Sequence, residues 1–159
     1  MYTKRIAYFS MGSGIYNDMR TYGGGLELLA GDMIWEVIDQ NGKFPMYFFH
    51  ILWKKGYGQQ HLTENGDVID EDPSVNNWQD YVEDTGKKVY VTIYNRKVWL
   101  KIWKLKVGPV YYLDAELEEN GDFANITNHL YGGSWDNDEK ERIAQEIVLG
   151  VGGVRAIEA

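Results

Sequence analysis

The chain has 159 residues, 44% of them hydrophobic and 25% charged, with a formal net charge of −8 and no cysteine. That is enough chain for one compact domain with its own core. The acidic balance excludes a sequence-independent grip on nucleic acid, which needs clustered Lys and Arg, and the missing cysteines exclude disulfides, thiolate nucleophiles and Cys-type zinc sites.

Arg5 to Met11, "RIAYFSM", is a short apolar run that ends in Gly12-Ser13-Gly14 and reads as a buried strand followed by a loop. From Leu26 the period changes: Leu26, Leu29, Ala30, Met33, Ile34, Val37 and Ile38 recur at helical spacing. Asn41-Gly42 is the stop signal. "FPMYFFHILW" follows as a second buried strand. Strand, glycine loop, helix, strand predicts a parallel βαβ unit of the doubly wound kind.

The middle of the chain reads differently. Asn65-Gly66 punctuates a polar segment, and "IDEDPSVNNW" reads as an acidic loop. In "KKVYVTIYN", Val89, Val91 and Ile93 alternate with Tyr90, Thr92 and Tyr94; Asn95-Arg96 is placed as the tight turn, and "KVWLKIWKLKV" returns. This predicts a β-hairpin. "GPVYYLDAEL" is apolar enough for a central strand. A short helix is expected over Phe123 to Tyr131, and a last helix from Asn137, with Asp136 and Glu139 as a capping box. Ile143, Ile147, Gly150, Val151 and Val154 are expected to line its inner face. Glycines 150, 152 and 153 each cost a helix about 1 kcal/mol against alanine, so either something approaches closely there or the helix frays.

Most side chains that might carry chemistry have a plain reading. His50, His61 and His129 are dispersed and share no metal-ligand spacing, so no metal site is expected, and His50 reads as a satisfied core residue. Asp67, Asp70, Glu71 and Asp72 lack the order of a calcium loop. Ser10, Ser13, Ser74 and Ser134 have no nucleophile-elbow context. Lys54, Lys55 and Tyr57 fit either a phosphate or sugar contact or the end of a surface strand. Trp99 and Trp103 share a strand face, which fits packing or, less simply, sugar stacking. No catalytic residue stands out. "NIT" at Asn125 is a sequon without a signal peptide, no run reaches membrane-span length, and a cytoplasmic location is expected.

"TYGGGLELLAGD", residues 21 to 32, sets three glycines before a helix start. That geometry aims unpaired backbone N–H groups and the positive end of a helix dipole at an anion. The spacing matches neither the dinucleotide fingerprint nor a Walker loop. The stretch "IAYFSMGSGIYNDMRTYGGGLELLAGD" resembles the amino-terminal part of α-glucan phosphorylases, the glycogen and maltodextrin phosphorylase family. "WKKGYGQQHLTENGDVID", "LYGG" and "ERIAQEIVLGVGGVRAIEA" continue the likeness in order along nearly the whole chain. The family's fold has two Rossmann-like domains with the active site in the cleft between them. The resemblance therefore implies an α/β, Rossmann-like amino-terminal domain with an inserted β-hairpin, spanning residues 1 to 159 as a single partial domain. The family's activity is phosphorolysis of α-1,4-glucan to glucose 1-phosphate. Its pyridoxal phosphate is held by a lysine of the carboxy-terminal domain, which this sequence lacks.

Carried over, the residues that face phosphate and sugar are Gly24, Gly25 and Leu26, through their amides. α-Glucan and phosphate are the implied ligands. A carboxy-terminal phosphorylase domain or a second copy is the implied partner, and no nucleic acid or membrane is expected. The chain alone is expected to be inactive and to hold no pyridoxal phosphate; a stand-alone, non-catalytic glucan-binding or interaction domain is the alternative, and a decayed gene product a third. Within the motif the family's usual Glu is Gly12, its usual Gly is Glu27, its Ser is Gly23, and an often-occurring Pro is Arg20. Glu27 sets a carboxylate beside the presumed anion site. At about 4 Å and an effective dielectric of 20, its repulsion of a phosphate is about 4 kcal/mol before solvent screening.

Overall fold

A computed structural model describes residues 4–55, 60–70, 76–129 and 138–159. The first strand, β1 (Ile6–Phe9), leads through the glycine-rich loop into helix α1 (Gly25–Asp39) and then β2 (Met46–Ile51). β1 and β2 pair in parallel, Ile6 opposite Met46 and Phe9 opposite Phe49, so the expected βαβ unit is present. α1 ends where the sequence signals it: Gln40 caps the helix, and Asn41 and Gly42 turn to φ of 49° and 79°. That left-handed exit is the usual helix stop. Its inner stripe is Ala30, Gly31, Ile34 and Val37. Leu26 and Leu29, read as part of that stripe, are instead exposed at 57% and 59%, because the buried stripe runs through Glu27, Ala30, Gly31, Ile34 and Val37 and leaves them off it.

The polar segment after β2 is not all loop. β3 (Gln60–Leu62) and β4 (Val68–Asp70) form a small antiparallel hairpin, turned by Gly66 at φ 86°. Strands of three residues are too short to show a period. Residues 71–75 of the predicted acidic loop lie outside the described residues.

β5 (Val82–Ile93) and β6 (Arg96–Leu105) are the predicted hairpin, with a bulge between Asp84 and Lys87. Ile93 pairs Arg96, so the turn is Tyr94-Asn95 and not Asn95-Arg96. Both turn residues have positive φ, 48° and 62°. This is the twist-matched turn of two-residue hairpins, and Asn at the second place tolerates it. β7 (Val110–Asp114) is central as expected, parallel to β2 and antiparallel to β6. The sheet order is β1-β2-β7-β6-β5. Above β6, Asn120 completes the sheet where β7 has ended: its side chain accepts from the Trp99 N–H at 2.8 Å and donates to the carbonyls of Trp99 and Ala115 at 2.8 and 2.7 Å.

Alternation along the strands serves two cores. On one face Ile34 and Val37 of α1 meet Phe48, Val110, Tyr112 and Leu105. On the other, Ile51, Val91, Leu100 and Leu113 meet Ala144 and Val148 of the carboxy-terminal helix. Each such side chain contributes about 1.5–3 kcal/mol by leaving water. The architecture is a mixed sheet between two helical layers.

Two helix expectations need correction. The segment expected as a helix from Phe123 is a run of 3₁₀ turns over Glu118–Thr127, broken at Gly121 with φ 55°; Tyr131 lies outside the described residues. The last helix, α2 (Asp138–Ile147), passes through a π turn (Val148–Gly152) into α3 (Gly153–Glu158), and the supposed capping pair's Asp136, with Asn137, lies outside the described residues. Of the face expected to be buried, Ile147 packs on the core, but Ile143, Val151 and Val154 are 44–51% exposed, while Ala144, Val148, Gly152 and Gly153 face the sheet. The glycines explain the choice. A Cβ on Gly152 would sit 2.5 Å from Leu100 Cδ1, and one on Gly153 would sit 2.3 Å from the Phe9 ring. Gly150 has open space. A helix lies closest along its smallest residues, so glycine, and not the Ile/Val stripe, marks the contact.

Candidate functional site

Because β1, β2 and β7 run in parallel, their carboxyl ends share one edge of the sheet, the usual ligand crevice of open α/β folds. The loop after β1 is fastened there at several points. Ser10 Oγ donates to the Gly12 carbonyl at 2.9 Å, and Trp53 Nε1 donates to Met11 O at 2.6 Å. Ser13 N–H donates to Thr21 O, Thr21 Oγ1 donates to Ser13 O, and Gly14 N–H donates to Glu27 O at 2.8 Å. Two close approaches fix this loop, one within it and one to α1. A Cβ on Gly12 would sit 2.1 Å from Thr21 O, and one on Gly31 would sit 2.0 Å from Gly14 O.

The loop delivers Gly24, Gly25 and Leu26 to the amino end of α1, all exposed. Gly24 is extended, at φ −168° and ψ −162°, and is the residue that precedes the helix proper. The first-turn amides of Gly25 and Leu26 have no carbonyl four residues back in the helix. Around Gly25 a Cβ would meet nothing within 4 Å. Glu27 folds back: Gly24 N–H donates to its Oε2 at 3.0 Å, and the side chain is buried, 2% exposed, with Cγ over Gly12. The absent side chain at position 12 is what leaves room for this carboxylate. Glu27 thus covers one donor of the loop and leaves the next two open.

At the carboxyl ends of β2 and β7 lies a charged cluster that sequence reading did not assemble. Lys54, after β2, places Nζ 2.7 Å from Asp114 Oδ2 at the end of β7 and 3.6 Å from Glu116. The same ammonium stands 4.1 Å from the centre of the Trp78 ring. Asp114 also accepts from Trp103 Nε1 at 3.0 Å, from the Glu116 N–H at 3.0 Å, and from Thr127 Oγ1 at 3.3 Å. Asn76 holds the strand end by donating to Trp53 O at 2.9 Å. An aspartate ending the apolar run "VYYLD" was the available sequence signal. Lys54 is therefore an ion-paired residue at the strand ends, and Trp103 packs against Trp78 at 5.4 Å. Trp99 packs against Tyr90 at 5.5 Å, with Lys97 above both rings.

His50 is fully buried in β2, with Nδ1 3.0 Å from the Ser10 carbonyl and no partner for Nε2. Burial pushes its pKa down to about 4 against a smaller upward pull from the Ser10 carbonyl, so it is neutral at pH 7. It is a core residue as expected, but not a fully satisfied one, because Nε2 lacks a partner. Ser10 Oγ bonds within the loop and Ser13 Oγ meets the Tyr112 hydroxyl of β7; Tyr57, Glu71, Asp72, Ser74, Ser134 and the "LYGG" motif lie outside the described residues. Among the described residues no group of three or more His, Asp or Glu is placed to hold a metal, and no helix is long and apolar enough to cross a membrane.

Fold and crevice together define a mixed α/β protein with a glycine loop and a helix amino terminus at the carboxyl ends of its parallel strands. No protein-family model matches the chain. Over 97% of its length it is 38% identical to an uncharacterised protein of Methanocaldococcus jannaschii and 35% identical to a glycogen phosphorylase of Mycobacterium tuberculosis. Over 96% it is 32% identical to a maltodextrin phosphorylase of Thermococcus litoralis. The chain spans 29%, 18% and 19% of the lengths of these relatives. The chain is similar to a segment of glycogen and maltodextrin phosphorylases.

Proposed function

We propose that this chain is the Rossmann-like amino-terminal part of an α-1,4-glucan phosphorylase, and that it forms one wall of a cleft completed by a carboxy-terminal domain. The observation that carries the reading is the open amino end of α1, set by a glycine loop at the carboxyl ends of the parallel strands, in a chain similar to phosphorylases. The amides of Gly25 and Leu26 would face phosphate and the glucosyl group, with Gly24 shaping the approach. Such fixed donors favour negative charge without reorganising at the moment of reaction. Pyridoxal phosphate, when bound in the assembled enzyme, supplies a phosphate group for proton transfer with the substrate phosphate. This chain fits only one side of that group: the space beyond Gly25 admits an anion, whereas Lys54 is committed to Asp114. The lysine that holds the cofactor belongs to the other domain in this reading, as does the active enzyme's catalytic power. Setting the chain in the cytoplasm belongs to the same reading.

The experiment is release of glucose 1-phosphate from glycogen and orthophosphate by the chain alone, and by the chain with the separately made remainder of the Mycobacterium tuberculosis glycogen phosphorylase, everything outside the matched 18%. Activity only in the mixture is expected. Glycogen retention by the chain with no rescue in the mixture would favour the second reading, a non-catalytic glucan-binding or interaction domain. That reading draws on the Glu27 carboxylate, which occupies the Gly24 amide from within.

The charge of Glu27 opposes an incoming phosphate, so Glu27→Gln, which keeps a carbonyl for the Gly24 N–H, is expected to tighten phosphate binding about tenfold or more in a calorimetric titration. Equal affinities of parent and variant would remove the repulsion argument.

A further inference from the structure

The chain contains the pairs Asn41-Gly42, Asn65-Gly66 and Asn120-Gly121. An Asn-Gly pair carries a chemistry of its own. Once hydroxide has taken the proton of the glycine amide, its nitrogen attacks the side-chain carbonyl carbon of the asparagine. A cyclic imide closes, the bond from that carbon to Nδ2 breaks, and the departing nitrogen recovers a proton from water and leaves as ammonia. Water then opens the ring at either carbonyl, giving aspartate or isoaspartate. One water enters and one ammonia leaves, so no further reactant is needed. Glycine favours the step because no Cβ shields its nitrogen or restricts the backbone as the ring closes.

The dipeptide is the same at all three places, and the fold sets them apart. The asparagine side chain must be free to turn toward the next nitrogen. That nitrogen must also be free of an acceptor, because a hydrogen bond there has to break first. Asn120 fails the first condition. It is 4% exposed, accepts from the Trp99 N–H at 2.8 Å, and donates to the Trp99 and Ala115 carbonyls at 2.8 and 2.7 Å. Asn65 fails the second. Its side chain is exposed, but Gly66 N–H donates to Thr63 O at 2.9 Å inside the β3–β4 turn. Thr63 is itself tied twice to Asp67, through Thr63 N–H to Asp67 O at 2.9 Å and Asp67 N–H to Thr63 Oγ1 at 3.0 Å.

Asn41 meets both conditions. Asn41 and Gly42 are exposed where α1 ends. The amides on either side are bonded, Asn41 N–H to Ile38 O at 2.9 Å and Lys43 N–H to Gln40 O at 3.1 Å, while Gly42 N–H and the Asn41 side chain bond to nothing among the described residues. A Cβ on Gly42 would meet nothing within 4 Å, so there is room for the ring and for water. Charge ranks the pairs in the same order. Lys43 follows the first pair, whereas Glu64 and Asp67 flank the second and Glu119 and Asp122 the third. A nearby cation favours the deprotonated amide and nearby carboxylates oppose it.

We infer that Asn41 is the site at which this chain deamidates, and that the fold holds back Asn65 and Asn120. The product weakens the end of α1. The last turn of that helix already carries Glu36 and Asp39 and has no basic residue, so a new carboxylate adds to the negative end of the helix dipole. Isoaspartate also puts an extra carbon into the main chain between Asn41 and Gly42, whose φ values of 49° and 79° make the turn toward β2.

The test follows the folded chain over time at mildly alkaline pH, beside a sample in concentrated guanidinium chloride, which unfolds the chain and screens its charges. Cleavage after lysine and arginine puts the three pairs on separate peptides, and fragment masses locate each conversion. In the unfolded sample the three should convert at similar rates. In the folded chain Asn41 should convert fastest, Asn65 about fivefold more slowly for its one amide bond, and Asn120 about a hundredfold more slowly for its three buried ones. Isoaspartate should accompany aspartate at position 41, the mark of the imide. Asn41→Gln, whose longer side chain closes a ring less readily, should remove most of the conversion in the folded chain. Asn41→Asp should melt roughly 1–4 °C below the parent. Asn65 or Asn120 converting as fast as Asn41 in the folded chain, no conversion at Asn41, or aspartate there without isoaspartate would each overturn the site; an unchanged melt of Asn41→Asp would overturn the weakening. No ligand or activity enters the measurement, so its outcome is separate from that of the phosphorolysis experiment.

Discussion

Gly31→Ala is expected to lower the stability of the chain by about 3 kcal/mol, although helix propensity alone predicts a gain of about 1 kcal/mol. Gly31 lies inside α1, and a Cβ there would fall 2.0 Å from the carbonyl oxygen and 2.8 Å from the carbonyl carbon of Gly14. Backbone cannot step aside as a flexible side chain does. Either α1 withdraws from the sheet, which opens the contacts of Ile34 and Val37, or the loop moves and loses the Gly14 N–H bond to Glu27 O. For a chain of this size each kcal/mol shifts the melting temperature by roughly 2–4 °C, so a fall of about 6–12 °C is expected by calorimetry. Gly25→Ala is the control: with nothing within 4 Å of its Cβ, it should be neutral or slightly stabilising. A Gly31→Ala protein as stable as the parent would show that the loop does not need this contact. The loop that carries Gly24 and Gly25 is held by that contact, so phosphate binding should weaken with stability.

Stability should fall as pH drops from about 6.5 to about 4, and His50 should account for about 3 kcal/mol of the fall. His50 is fully buried and its pKa is pushed down to about 4, chiefly by loss of water. The unfolded chain binds a proton near pH 6.5, whereas the folded chain refuses it until about pH 4. Between those values the unfolded state holds more protons, so stability rises with pH and is lost on acidification. Above pH 6.5 both states are neutral and the slope vanishes. Urea melts at half-unit steps of pH measure this directly. His50→Gln, which keeps a donor for the Ser10 carbonyl, should flatten the profile in this window; an unchanged slope would place the acid sensitivity elsewhere.

Much of the fold was legible because its signals are local. The stop of α1 at Asn41-Gly42, the parallel βαβ opening and the β5–β6 hairpin all follow from period and turn chemistry within short windows. The hairpin turn was misplaced by one residue because Tyr94, a bulky side chain, takes a left-handed conformation that propensity assigns elsewhere. The β3–β4 hairpin was missed because three residues make no period, and Leu62 and Val68 stay 74% and 60% exposed. On the carboxy-terminal helix Ile147 packs on the core as expected, but Ile143, Val151 and Val154 point outward. An Ile/Val stripe signals burial only when something covers it, and within the described residues the glycines make the contact instead.

For the site, the sequence by itself determined a glycine loop before a helix, its likeness to the phosphorylases, and the presence of Glu27 in that loop. These are properties of neighbours in the chain, where order dictates proximity. Only the tertiary structure decided that Glu27 turns inward over Gly12 to take the Gly24 N–H, that Lys54 meets Asp114 from 60 residues away, and that Gly153 brings the last helix against Phe9. Such contacts join segments brought together by sheet order. Their distances depend on where whole strands and helices pack, which no local window of residues contains.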